Sequence, residues 1–395
     1  MSAGERWDLV VVGAGPAGSA AALGALQTDP DLRVLLLDRS DFPRDKSCGD
    51  GIAPHVLDVL GEVGAGDLVD DWTPLRRLEL SRGGSGVDGR MRREARVVPR
   101  RVFDARLVAR AVAAGAVLRR DRVTACAPGS LNTQAGALSP RVVIGADGAH
   151  SVVRRALLGP RRGQQRALAI RGYAPVTAET AGRQVIRFGE RRQPSYAWAF
   201  DRGDGLANVG YGELLPADRS ATPTRRLLLD RLEELLPGSV THGHDWLGHH
   251  LPLSGWRWEQ PDGPTLLAGD AAGLVNPLTG EGIYYAVATG LAAGRTAARC
   301  LATGRETDAG RLHRVHVRRL LARHLRHTWA AARLARHPAV LDAGIHAADR
   351  DHRVFDTLVE LGLGSGRIDL HLTAGLARGL VRTGARRPST PTMES

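Results

Sequence analysis

A chain of 395 residues, 43% hydrophobic and 24% charged, has the volume for two joined globular domains around a sizeable core. Its 54 Lys and Arg against 42 Asp and Glu give a formal charge of +12, yet no aromatics interleave with the arginines as a single-strand binder requires, so no nucleic-acid partner is expected. Three cysteines without paired spacing exclude a disulfide framework, a zinc site and a four-cysteine cluster, and no apolar run reaches the roughly 18 residues of a membrane span; the expectation is a reducing, cytoplasmic compartment.

The N-terminus runs from MSAGERWD straight into WDLVVVGAGPAGSAAALGAL (7–26), which predicts a strand, a glycine turn and a small-residue helix. Gly13, Gly15 and Gly18 form GxGxxG there, with Pro16 and Ala17 opening the helix. The first glycine permits a tight turn, the second lets a pyrophosphate approach the backbone, and the third lets helix and strand pack closely. RVLLLDRS (33–40) predicts a second strand ending in Asp38, the acid expected to accept from ribose hydroxyls, followed by Arg39. The loop PRDKSCGDG (43–51) holds Lys46, the only lysine, and Cys48 between a proline and two glycines. By itself it reads equally as a polar turn or as a functional loop.

Beyond it, 53–71 predicts a helix and its tail, 75–98 two strands around a glycine-rich turn, and 101–116 a helix. VLRRDRVTACAP and RVVIGADGAH supply further strands. Between 165 and 254 five strands surround one helix, TRRLLLDRLEELL. One of them, PSYAWAF (194–200), alternates Tyr196, Trp198 and Phe200 on one face, either as core of the β region or as the wall of a cavity. His242, His244, His249 and His250 lack a Cys or acid partner pattern and predict a surface loop rather than a metal site. TLLAGDAAG (265–273) returns to strand, glycine and helix. The chain is then helical to about 362, and the tail 384–395 reads as disordered.

The spacing thus predicts an α/β (α+β) chain: a Rossmann-like dinucleotide-binding domain (1–74, 99–160 and 264–300) enclosing an inserted antiparallel β-sheet domain (75–98 and 161–263), with a C-terminal helical cap over 301–365. In the cap, 311–336 carries arginines at 314, 318, 319, 323 and 326, with Leu312, Val315, Leu320, Leu321, Leu325 and Trp329 expected on the opposite face. Either this helix is solvated and packs on the first domain, or it docks peripherally on an anionic membrane.

GxGxxG, the central ADG (Asp147, Gly148) and the late GD (Asp270) together resemble the p-hydroxybenzoate hydroxylase type of flavoprotein, which threads FAD through all three. Within it, PRDKSCGDG, PSYAWAF, NPLTGEGIYYA (276–286), DHRVFDTLVELGLG (351–364), ANVGYG (207–212) and RRVFDARL (100–107) are similar to the geranylgeranyl reductase family, whose members include menaquinone and archaeal lipid reductases that saturate prenyl chains. The likeness covers about 7–365. It departs at Asp201, where the family continues with proline, and at 117–141, which looks short. The resemblance implies an FAD-dependent reductase of isoprenoid C=C bonds acting on a prenyl lipid or another apolar small molecule, with NAD(P)H as transient reductant.

By the same resemblance Asp147 lies near the pyrophosphate, Asp270 contacts the ribityl chain, and the residues opening the helix after Asp270 face the flavin O2 edge. Arg39, Lys46, Cys48, Gly49, Arg100, Gly280, Gly282 and Ile283 join the cofactor-binding set. Tyr196, Trp198 and Phe200 would wall the substrate cavity, and Cys48, Tyr196 and Tyr284 are the candidate proton donors. Two alternatives share the fold: a flavin monooxygenase and a flavin halogenase. The latter needs an active-site lysine, and the only lysine sits in the cofactor loop.

Overall fold

The computed structural model describes residues 5–160, 164–216 and 222–384. The expected tail over 384–395 therefore lies, apart from Gly384, outside the described residues.

The first domain is built on a run of buried parallel strands. Glu5–Val12 lies between Val34–Asp38 and Ala137–Gly145; Val117–Arg120 adds to the outer side of Val34–Asp38, and Thr265–Leu267 pairs with Val143–Gly145. Ser130–Thr133 and Val123–Ala127 extend the other part of Ala137–Gly145 as an antiparallel flap. Parallel strands covered on both faces must be apolar throughout, and Val10, Val11, Leu35, Leu36 and Ile144 are all buried. The helices Pro16–Thr28 and Ile283–Ala302 cross on this sheet with their backbones touching. A Cβ at Gly290 would stand 2.1 Å from Ala17 O, and one at Gly294 would stand 1.9 Å from Ala21 O. Small residues are therefore what allow the contact, and the helical stretch is Ala- and Gly-rich for that reason.

The second sheet has eight strands: His244–Pro252, Arg166–Pro175, Leu206–Leu214, Tyr196–Asp201, Arg183–Phe188, Leu75–Arg82, Ser85–Val97 and Gly51–Ile52, in that spatial order. It is not wholly antiparallel as expected: Arg183–Phe188 and Leu75–Arg82 pair in parallel. Two antiparallel blocks contributed by separated segments meet at that seam. The edge strand Gly51–Ile52 is the end of the PRDKSCGDG loop, hydrogen-bonded to Arg96 and Val97, so the loop belongs to both domains. On one face of the sheet, helix Arg225–Leu235 buries Leu228 and Leu232 against Ala197, Ala199 and Val209.

Four helices follow: Ala309–Leu334, Pro338–Arg350, His352–Leu363 and Leu370–Gly384. The last is a correction to a cap ending at 365. Gly364, Ser365 and Gly366 do stop one helix, but Asp369 restarts the next by accepting from Leu372 N at 2.7 Å. These helices form their own core on strands 75–97, where Phe355 packs so closely that a Cβ at Gly89 would lie 2.5 Å from its ring. The apolar stripe of Ala309–Leu334 is also rotated from the expected one. Val315 and Leu320 are exposed among the arginines, and the buried stripe is His313, Val317, Leu321, Leu325, Thr328 and Ala332. His313 and His324 sit inside with one ring nitrogen of each on a backbone carbonyl, and His324 Nε2 also bonds the Tyr285 hydroxyl at 2.6 Å. His313 Nε2 bonds Leu267 O at 3.0 Å, and His324 Nδ1 donates to Gly366 O at 2.7 Å.

Candidate active site

The glycine loop is held from two sides. Gly13 has φ +99°, and a Cβ there would fall 2.5 Å from Ala146 O, so the ADG turn sits directly against it. A Cβ at Gly18 would fall 1.7 Å from Gly13 O. Gly15 differs: the nearest atom to its would-be Cβ is the Arg44 guanidinium at 3.4 Å. Behind Gly15, helix Pro16–Thr28 begins without any side-chain cap. Open space above a glycine, an uncapped helix N-terminus and a neighbouring guanidinium fit an anionic diphosphate. Arg44, which no motif in the loop 43–51 singles out, also pairs with Asp104 at 3.3 Å and lies over the Phe42 ring.

Asp38 is buried at the strand end, where its carboxylate accepts from Ala14 N at 2.9 Å and Ser40 N at 3.0 Å; Arg39 beside it is exposed. Asp147 accepts from Val152 N at 2.6 Å and so caps the helix Val152–Leu158, while burial pushes its carboxyl above the ordinary range. Gly148 follows with φ +77° and open space where a Cβ would lie.

From this cradle a cavity of about 350 Å³ runs between the two sheets and under the C-terminal helices. Pro16, Lys46, Cys48, Gly49, Arg100 and Asp270 line its near end, and Gly280, Glu281, Gly282 and Ile283 close one side. The aromatic strand forms a wall: Tyr196, Trp198 and Phe200 all line the cavity, their rings in tilted sequence 6.0 and 6.5 Å apart. The far part is apolar, with Leu80, Ile186, Leu341, Ile345 and Leu372 among its lining.

The loop 43–51 is locked in place by a buried polar network. Asn208 donates to Cys48 O at 2.9 Å and to Asp50 at 2.8 Å, and it accepts from Trp198 Nε1 at 2.8 Å. The Tyr173 hydroxyl donates to Asp50 at 2.7 Å, and buried Arg171 holds Asp45 at 2.6 Å. Asp50 has φ +59°, is fully buried, and carries a carboxyl that burial raises to about 6. Lys46 reaches Asp270 at 3.3 Å. Burial pulls the Asp270 carboxyl upward, but Lys46, His249 and Arg100 outweigh it and hold it below the usual range. Arg100 is buried with its Nε and Nη2 donating to Asp104, and burial raises the Cys48 thiol against its influence.

Three sequence expectations need correction here. Tyr284 is not among the cavity residues: it lies beside His55, ring centroids 6.0 Å apart, and bonds Ser365. His249 is not in a surface loop: it stands on the strand His244–Pro252, lines the cavity beside Lys46 and Asp270, and burial lowers it to about 4. Strand alternation held the signal, since 249 and 251 share the face that lines the cavity. Nor does a regular helix open after Asp270. Gly269–Ala272 is a single 3-10 turn, and the long helix waits until Ile283, because Pro277 and Gly280 interrupt it. Glu281, absent from the candidates, lines the cavity at that helix entry.

Residues 6–226 match the family described as FAD binding domain. The menaquinone reductase of Mycolicibacterium smegmatis is 35% identical over 328 residues, covering 77% of this chain and 78% of that protein. Digeranylgeranylglycerophospholipid reductase 1 of Methanopyrus kandleri is 33% identical over 74% of this chain and 80% of its own length. Among solved structures, a geranylgeranyl bacteriochlorophyll reductase-like protein of Thermoplasma acidophilum shares the fold with a TM-score of 0.79 at 20% identity, covering 96% of this chain and 99% of that one.

Proposed function

This chain belongs to the FAD binding domain family and, within it, to the geranylgeranyl reductases, and on that premise we propose that it saturates C=C bonds of an isoprenoid held in the cavity between its two sheets. FAD is its cofactor and, when bound and reduced, would supply the hydride. NAD(P)H is the proposed reductant, visiting transiently. The observation that carries the reading is the cavity itself. It begins at Cys48, Asp270 and Gly282 and continues into an apolar sleeve under the C-terminal helices. A prenyl chain suits such a sleeve, since each CH2 taken from water contributes about 0.8 kcal/mol.

The cofactor roles follow from the cradle. Gly13, Gly15, Pro16, Ala17 and Gly18 receive the diphosphate with Arg44, Asp38 orders the loop toward the ribose, and Asp270, kept ionised by Lys46, accepts from the ribityl hydroxyls. Tyr196, Trp198 and Phe200 press on the substrate. Tyr196 is steadied by donating its hydroxyl proton to Thr279 O. A dry wall of this kind keeps water from the reduced cofactor. The only lysine of the chain is held by Asp270, which disfavours halogen transfer.

The same reading places the enzyme at an anionic membrane surface where its substrate resides. No helix among the described residues is long and apolar enough to cross a membrane. Arg318, Arg319 and Arg323 are exposed on Ala309–Leu334, and Leu334, which lines the cavity, is 48% exposed at the end of the same helix.

Anaerobic incubation of the reduced protein with prenyl lipids, followed by mass spectrometry, tests the reading. A gain of two hydrogens per turnover supports it. Oxygen incorporation on admitting air, with no anaerobic product, would replace it with the monooxygenase.

A further inference from the structure

One acid facing the cavity has no part in the roles above. Glu281 lies between Gly280 and Gly282, and its Oε1 accepts from Tyr284 N at 2.9 Å, so the entry of the helix Ile283–Ala302 holds the side chain in one place. It sits at the end of the cavity where cofactor and substrate residues meet. Cys48 and Arg100 line that end, and the Tyr196 hydroxyl bonds the carbonyl two residues before Glu281. We propose that Glu281 is the proton donor of the alkene reduction, delivering its carboxyl proton to the carbon that does not receive hydride. The proposal rests on the reductase reading above.

The step balances. The alkene π pair forms a C–H bond with the Glu281 proton as the O–H bond breaks. Hydride from the two-electron-reduced cofactor forms the second C–H bond, and the carboxylate left behind regains a proton from water.

The surroundings suit the role. Burial raises the Glu281 carboxyl to about 7, against the backbone N–H groups of Tyr284 and Ile283 and the charge of Arg100. Asp270 adds to the rise, itself flanked by Lys46 from the loop and His249 from the strand His244–Pro252. Cys48, Tyr196 and Tyr285, the remaining titratable neighbours, are held in their neutral forms by burial. Burial that makes the thiol and the phenol weaker acids leaves Glu281 as the acid matched to neutral pH, where a general acid is most effective.

Glu281→Gln keeps an oxygen for Tyr284 N and removes the proton. Purified as the FAD-loaded full chain, it should retain flavin and its thermal midpoint while saturating a prenyl substrate at least about a hundredfold more slowly. The wild-type rate should fall as pH rises through about 7, and that fall should vanish in E281Q and return in part in Glu281→Asp. A readout independent of turnover is the infrared carboxylic-acid band of the substrate-free protein, expected to titrate near 7 and to be missing from E281Q. Unchanged rate and pH profile in E281Q overturn the proposal and leave the reductase reading standing, as does a band titrating in the ordinary glutamate range. Should E281Q lose flavin, E281D decides: an unshifted rate and pH midpoint overturn the assignment. If the wild type saturates no prenyl substrate, reading and assignment fall together.

Discussion

The ammonium of Lys46 lies 3.3 Å from the carboxylate of Asp270, joining residues 224 positions apart across the entrance of the cavity. Asp270 is held ionised against the pull of burial, first of all by this cation. In Lys46→Met burial dominates and the carboxyl pKa rises. We expect the FAD dissociation constant to increase at least about tenfold, about 1.4 kcal/mol, and to worsen further as pH is lowered. Flavin fluorescence titration measures it. An unchanged constant would mean the pair only packs the loop.

Gly15 and Gly18 should fail in different ways. Only the end of the flexible Arg44 side chain comes within 4 Å of a Cβ at Gly15, whereas one at Gly18 meets Gly13 O at 1.7 Å. Gly15→Val is expected to fold with a nearly wild-type thermal midpoint and to purify colourless. Gly18→Ala is expected to be destabilised by more than about 2 kcal/mol through backbone displacement, whatever its flavin content. Calorimetry with absorbance spectra separates the two, and a yellow G15V would remove the diphosphate from that loop.

Asp50 makes stability depend on pH with a definite sign. Its folded pKa, about 6, lies above the unfolded value near 4, so the folded chain binds the extra proton between them. The stabilisation is complete below about pH 4 and lost as pH rises through about 6, a change of roughly 2–3 kcal/mol. Asp50→Asn keeps an acceptor for Tyr173 and Asn208 and should flatten this part of the profile, raising the thermal midpoint at neutral pH relative to wild type. A parallel shift with the slope intact would place the titration elsewhere.

The basic face of Ala309–Leu334 predicts salt-sensitive membrane contact. The protein should cosediment with anionic but not neutral vesicles and be released by about 0.5 M salt. Charge reversal at Arg318, Arg319 and Arg323, all exposed, should abolish binding without loss of flavin. Wild type remaining in the supernatant with anionic vesicles at low salt would make the face merely solvated.

Local features carried much of this in the sequence. The glycine loop, the strand ending in Asp38 and the alternating aromatics each sit within one element, where periodicity and turn chemistry suffice. What escaped depends on contacts between distant segments. Nothing near Asp50 in sequence announces Tyr173 or Asn208 as its partners. The apolar stripe of Ala309–Leu334 differs from the expected one because its buried face includes His313, His324 and Thr328, whose partners are backbone carbonyls elsewhere and within the helix and, for His324, also the Tyr285 hydroxyl. Tyr284, a proton-donor candidate through the family resemblance, is turned toward His55 by the helix that begins at Ile283, while Glu281 is left on the cavity.

The parallel seam between Leu75–Arg82 and Arg183–Phe188 also bears on how the chain acquires its shape. Arg77 finds Arg183 only after Val117–Arg120 and Ala137–Gly145 of the first domain's sheet have emerged between them, and closing so long a loop costs entropy before any pairing offsets it. The barrier to folding should therefore lie in joining the two halves of the substrate sheet, with slow, high-contact-order kinetics even if the glycine-loop domain collapses early. During that interval the edge of Leu75–Arg82 is open to pairing with other chains. Its alternation of arginines and an acid, R-R-L-E-L-S-R, supplies the charge that discourages such aggregation until the proper partner arrives.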